Sequence, residues 1–73
     1  MVVAVYYRAD LITGELNQRL GYAPILRGDP VFMHTQAVQF AKRRGADAYQ
    51  LCEGTHAFNL KPVSLTHDIR GFR

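Results

Sequence analysis

The stretch DPVFMHTQAVQFAKRRG, Asp29 to Gly45, carries a start signal, an apolar stripe and a stop signal for one helix. Asp29 can cap the first free amides, and Pro30 at the first helical position gives up only a hydrogen bond that would not be made there. Thr35 is the competing cap. Met33, Ala37, Phe40 and Ala41 recur at helical spacing with Val38 beside them, whereas Thr35, Gln36, Gln39, Lys42 and Arg43 point away. Gly45 stops the helix because it accepts a left-handed backbone that a side chain resists. A helix with one apolar stripe must lie on something, and the flanking segments supply a sheet.

Val2 to Arg8 is β-branched and aromatic and apolar on both faces, which predicts a central strand. Turn chemistry at Asp10 to Gly14 leads to a second, half-exposed strand over Glu15 to Leu20, and Gly21 to Gly28, with its Gly and Pro residues, reads as a loop. Beyond the helix, Asp47 to Glu53 alternates as a strand, Gly54-Thr55 offers a tight turn, and His56 to Leu60 forms the returning arm. Pro62 interrupts the next segment, Val63 to Leu65 makes a short edge strand, and the final HDIRGFR is loosely held. The expected fold is α+β: a small antiparallel sheet in ββαββ order, with one amphipathic helix on one face and residues 1–73 forming a single domain.

Composition narrows the function. With 73 residues, 48% of them hydrophobic, the chain can fold but has little interior to spare for an enclosed ligand pocket of about 300 Å³ or more. Cys52 is the only cysteine, so no internal disulfide forms and a reducing, cytoplasmic setting is expected. The N-terminal apolar run lacks the basic start and cleavage site of a signal peptide, and no run reaches the ~20 residues of a spanning helix. Nine Lys and Arg against six Asp and Glu give a net charge of +3, which favours acidic partners. Seven of the nine are Arg, the cation that pairs bidentately with carboxylate or phosphate and stacks on flat groups.

The motifs weigh against catalysis. Cys52 and His56 straddle a turn with no orienting acid, and a lone cysteine in an alternating strand is ordinarily a small buried hydrophobe. One Cys with His34, His56 and His67 lacks the paired spacing of a metal site, His67-Asp68 is too common a pair to carry weight, and no glycine pattern cradles phosphate. Lys42-Arg43-Arg44 is the one basic cluster, yet cations in the last helical turn are favoured by the macrodipole anyway. Three phosphate contacts would give a salt slope of about −2.7, so binding would weaken roughly 40-fold between about 50 and 200 mM salt. Nucleic-acid binding therefore needs Arg8, Arg19, Arg27, Lys61, Arg70 or Arg73 on the same face. Among Tyr6, Tyr7, Tyr22 and Tyr49, the loop residue Tyr22 is the one expected outside the core.

In size, compactness and lack of catalytic apparatus the chain resembles small inhibitors encoded by phages and mobile elements, anti-CRISPR proteins among them. The resemblance is one of type; it covers no residue pattern and transfers no site. With the Arg excess, it implies a non-enzymatic binding module that inhibits or regulates a larger macromolecular complex, without cofactor, metal or membrane. The expected contacts are Arg19, Tyr22, Arg27, Lys42, Arg43 and Arg44, facing an acidic protein surface or nucleoprotein complex; direct nucleic-acid binding is the alternative. A sheet edge or face could also serve a homodimer.

Overall fold

The computed structural model describes residues 1–56 and 59–72. Strands β1 (Val2–Arg8) and β2 (Gln18–Ile25) precede helix α1 (Pro30–Arg44), and β3 (Ala48–Glu53) is followed by two short strands, β4 (Lys61–Pro62) and β5 (His67–Asp68). The sheet is antiparallel, ordered β2-β1-β3-β4, with β5 also paired to β3. The α+β class and the strand–strand–helix order follow the expectation from sequence. Since β2 and β3 both run against β1, they are parallel to each other, and α1 joins them by crossing the face of the central strand.

Both helix ends are made as their residues imply. Asp29 Oδ1 accepts from Phe32 N at 3.0 Å, Pro30 opens the first turn, and Gly45 closes the last at φ 65° and ψ 26°. Ala46 N then donates to Ala41 O at 3.0 Å, satisfying a terminal carbonyl. Thr35 caps nothing; its Oγ1 donates to Val31 O within the helix. Ala37 and Ala41 are fully buried, with Met33, Val38 and Phe40 beside them. They meet Val2, Ala4, Tyr6, Ala23, Ile25, Tyr49 and Leu51 on one face of the sheet. The opposite face, without a helix, still buries Val3, Val5 and Cys52 against Tyr7 and Leu60. A central strand apolar on both faces is thus covered on both.

The structure corrects the sequence reading of the strands in three places. The second strand is Gln18–Ile25, not Glu15 to Leu20, and the expected loop Gly21 to Gly28 is strand as far as Ile25. Gly21 and Pro24 act as breakers only where both sides of a strand must pair; β2 is an edge, so Pro24 has no second partner to disappoint. A bulge there, pairing Tyr6 with Gly21 and Tyr7 with Arg19, leaves Leu20 as the extra residue. Secondly, the returning arm is not His56 to Leu60. Ala57 and Phe58 lie outside the described residues, and the ladder is taken up by Lys61–Pro62. Thirdly, the edge strand is not Val63 to Leu65. That segment bows out, held by Val63 N on Leu51 O, Leu51 N on Ser64 Oγ and Gln50 Nε2 on Ser64 O.

The tail is also tied down. His67 and Asp68 pair with Tyr49 and Ala48, Ile69 is buried in the core, and Arg70–Phe72 forms a short 3₁₀ turn. An aliphatic side chain burying itself at this point explains why a polar-looking segment is ordered: Ile69 closes the gap beside α1 and β3.

Candidate binding surface

One end of the molecule collects the C-terminus of α1, the end of β1 and the start of β2. There, Arg8, Leu20, Gly21, Tyr22 and Arg44 line a groove of about 390 Å³ along the free edge of the sheet. Each side chain is placed for an identifiable reason. Arg8 ends β1 on the helix side, its guanidinium close beneath Gly45, where the helix carbonyls favour a cation. Arg44 leans back over the sheet, its guanidinium carbon 5.2 Å from the Tyr6 ring centre and 5.6 Å from that of Phe40, and its Nη1 donates to Phe40 O at 3.4 Å. Arg43 lies 5.9 Å from the Phe40 ring centre.

Across the edge, Arg19 and Tyr22 pair with Tyr7 and Val5 and so project from the face away from the helix. The Arg19 guanidinium carbon sits 6.0 Å from the centre of the Tyr22 ring, and that ring is exposed. The cationic surface therefore wraps around β2. The ion pairs among the described residues are Arg27–Glu53 and Arg70–Asp68, and Arg8, Arg19 and Arg44 take part in neither. A guanidinium held near an aromatic ring can still offer its remaining N–H groups to a carboxylate or phosphate.

Of the six residues expected from sequence to bind a partner, Arg19, Tyr22 and Arg44 come together here, with Arg43 adjoining through Phe40. Arg27 does not join them. It lies beyond the other end of β2, paired with Glu53 at 2.8 Å. Lys42 faces another way too, lining a hollow of about 560 Å³ on the flank of α1 with His34 and Val38. That hollow is larger but is walled by one helix and carries one charge, so it offers less chemistry than the groove. Of the further cations a nucleic acid would need, Arg8 is at the groove, Lys61 is in β4 opposite Glu53, Arg70 is engaged by Asp68, and Arg73 lies outside the described residues. Arg8 was legible only as one cation among several; the neighbour that selects it, Gly45, is distant in sequence.

The remaining polar clusters are structural in geometry. Tyr49 hydroxyl and His34 Nδ1 share a 2.6 Å hydrogen bond, and the His67 ring lies 4.8 Å from His34 and 5.2 Å from Tyr49, centre to centre. Burial raises the Tyr49 pKa, and burial together with the neighbouring His67 lowers that of His34, so both groups are favoured in their neutral forms. The three rings knit α1, β3 and β5. Cys52 is buried, and burial pushes its thiol pKa up against a smaller pull from Arg19. Among the described residues no group of three or more His, Cys, Asp or Glu could hold a metal ion, and no helix is long and apolar enough to cross a membrane. Compared with protein-family models, curated proteins and solved structures, the chain matches none.

Proposed function

We propose that the chain is a non-enzymatic binding module that inhibits or regulates a larger macromolecular complex, of the type encoded by phages or mobile elements. Its arginine–tyrosine groove meets an acidic protein surface of that complex. The observation that carries this reading is the convergence of Arg8, Arg44 and Tyr22 on one groove, with Arg19 against the Tyr22 ring. Arg and Tyr are residue types on which interface energy concentrates, Tyr because it buries a large ring at little conformational cost and Arg because it makes charge-assisted, bidentate hydrogen bonds. A protonated, buried Cys52 agrees with a role that needs no nucleophile.

The test is capture from the native cell with the wild-type chain and with Arg8→Ala/Arg19→Ala/Arg44→Ala. A discrete protein assembly should be recovered by the wild type, persist after nuclease treatment, and be lost with the variant. Recovery unchanged by the triple substitution would remove the groove from the interface.

A second reading, direct nucleic-acid binding, draws on the exposed Tyr22 ring beside Arg19, since a flat ring next to a cation is what stacks an unpaired base. It predicts a mobility shift with a single-stranded oligonucleotide at low salt that Tyr22→Ala weakens by about 1–3 kcal/mol. No shift at low salt leaves the protein partner as the account of the groove.

A further inference from the structure

The loop from β1 to β2 presents Leu11 and Ile12 to solvent at 98% and 95% exposure, next to each other at its tip. An unstructured loop would let two such side chains fold back; this one holds them out. Asp10 Oδ1 accepts from Ile12 N at 2.8 Å and Thr13 N at 2.9 Å, Gly14 N donates to Asp10 O at 2.9 Å, and Glu15 N donates to Thr13 Oγ1 at 3.3 Å. Asp10 N on Glu15 O closes the base, and Arg70 Nη1 donates to Gly14 O. Four consecutive amides are thus satisfied within the loop. Burying the two side chains of the tip would strand none of these four amides, and the hydrogen bonds lower the ordering cost that remains when a partner arrives.

We infer that Leu11 and Ile12 form an apolar anchor that enters a nonpolar pocket on a protein, beside the acidic surface that faces Arg8, Arg19 and Arg44. The anchor projects from the end of the sheet that holds those arginines, because β1 ends at Arg8 and β2 begins at Gln18. The inference rests on the binding reading of the groove for the acidic half of the partner surface. A protein fits better than a lipid surface or a nucleic acid because the carboxylates of Asp10 and Glu15 flank the anchor. A uniformly anionic lipid surface or phosphate backbone would repel them, and insertion into lipid would bury them, whereas a protein can set donors opposite these two carboxylates and its own carboxylates opposite the arginines. Apolar anchor and cationic neighbours together make the centre and border of one interface.

The experiment places p-benzoylphenylalanine at position 12 of the full chain, irradiates the cells that encode it, and maps the adduct by mass spectrometry. A crosslink to an apolar peptide of a protein is expected, and excess wild-type chain should suppress it. Leu11→Ser/Ile12→Ser should compete about 30-fold less well, given the loss of two anchor side chains, while Leu11→Met/Ile12→Leu should compete like the wild type. Because both positions are exposed, the Ser variant should keep the wild-type urea midpoint, so weak competition is not unfolding. An adduct to lipid, to nucleic acid or to a second copy of the chain, the absence of any specific adduct, or equal competition by the Ser variant overturns the inference. Arg8→Ala/Arg19→Ala/Arg44→Ala separates it from the groove reading. If this variant competes fully and the Ser variant does not, the anchor stands and the groove reading falls; the reverse pattern removes the anchor and keeps the groove.

Discussion

Tyr6 is the residue on which fold and surface meet. It is fully buried, its hydroxyl has no hydrogen-bond partner among the described residues, and its ring lies under Arg44 of the groove. Burial pushes its pKa up to about 12, with Arg44 pulling the other way. An unpartnered buried hydroxyl costs about 1–3 kcal/mol, so Tyr6→Phe should be stabilising, by roughly 1 kcal/mol after some relaxation, in urea unfolding. A comparable loss of stability would show that the hydroxyl has a partner. The same substitution should alter the alkaline limb of the stability curve. The unfolded phenol ionises near pH 10, so stability is full below that value and falls until the folded group ionises near 12. That fall should shrink in Tyr6→Phe.

His34 supplies the acid limb with the opposite charge logic. Its folded pKa lies below the ordinary 6.5, because burial and His67 both disfavour the imidazolium. The unfolded chain therefore binds the proton first, and the stability contributed by neutral His34 is present above about pH 6.5 and lost as pH falls toward the folded value. Unfolding midpoints measured from pH 7.5 down to 5 should decline. In His67→Gln the NMR titration midpoint of His34 should move up, since a like charge has been removed; an unmoved midpoint would mean that the two rings do not sense each other.

At the scale of elements, the helix and sheet approach closely because the contact is built from alanine. Ala37 and Ala41 on α1 and Ala4 and Ala23 on the strands are all buried in one cluster. Ala41→Leu should cost about 1–3 kcal/mol by overpacking, read as a lower urea midpoint with an unchanged slope; no loss would mean that the layer has room. This layer also explains what could be read from the chain. Helix α1 was legible because its caps and its stripe are local signals. Strand β2 was displaced because Gly21 and Pro24 have meaning only relative to a sheet edge, and edge position is a property of the whole sheet. Strands β4 and β5 are two residues each, too short for any periodicity, and the burial of Ile69 depends on a gap that other elements create. The surface was half legible for the same reason. Lys42 and Arg44 look like one cluster in sequence, but two helical residues turn by about 200°, which sends them to different sides of the molecule.

For the whole molecule, the distribution of charge matters more than its total. The Cα extents are 34 × 25 × 19 Å, long enough for the two ends of the sheet to act separately when the screening length is about 8 Å. At one end Arg8 and Arg44 line a groove, with Arg19 against its Tyr22; at the other Arg27 is paired with Glu53 and Lys61 stands opposite the same residue in the ladder, so one carboxylate offsets part of their charge. Two double variants remove the same charge, lowering the net value from +3 to 3 − 2 = +1: Arg19→Gln/Arg44→Gln at the groove and Arg27→Gln/Lys61→Gln at the opposite end. If only net charge governed attraction to a polyanion, they would behave alike on heparin. A localised field predicts that the groove variant elutes at distinctly lower salt and lowers the slope of log affinity against log salt by about 1–2, while the other stays near the wild type. Equal elution of the two variants would mean that the groove does not focus the field, and that Arg8, Arg19 and Arg44 act only as separate surface charges.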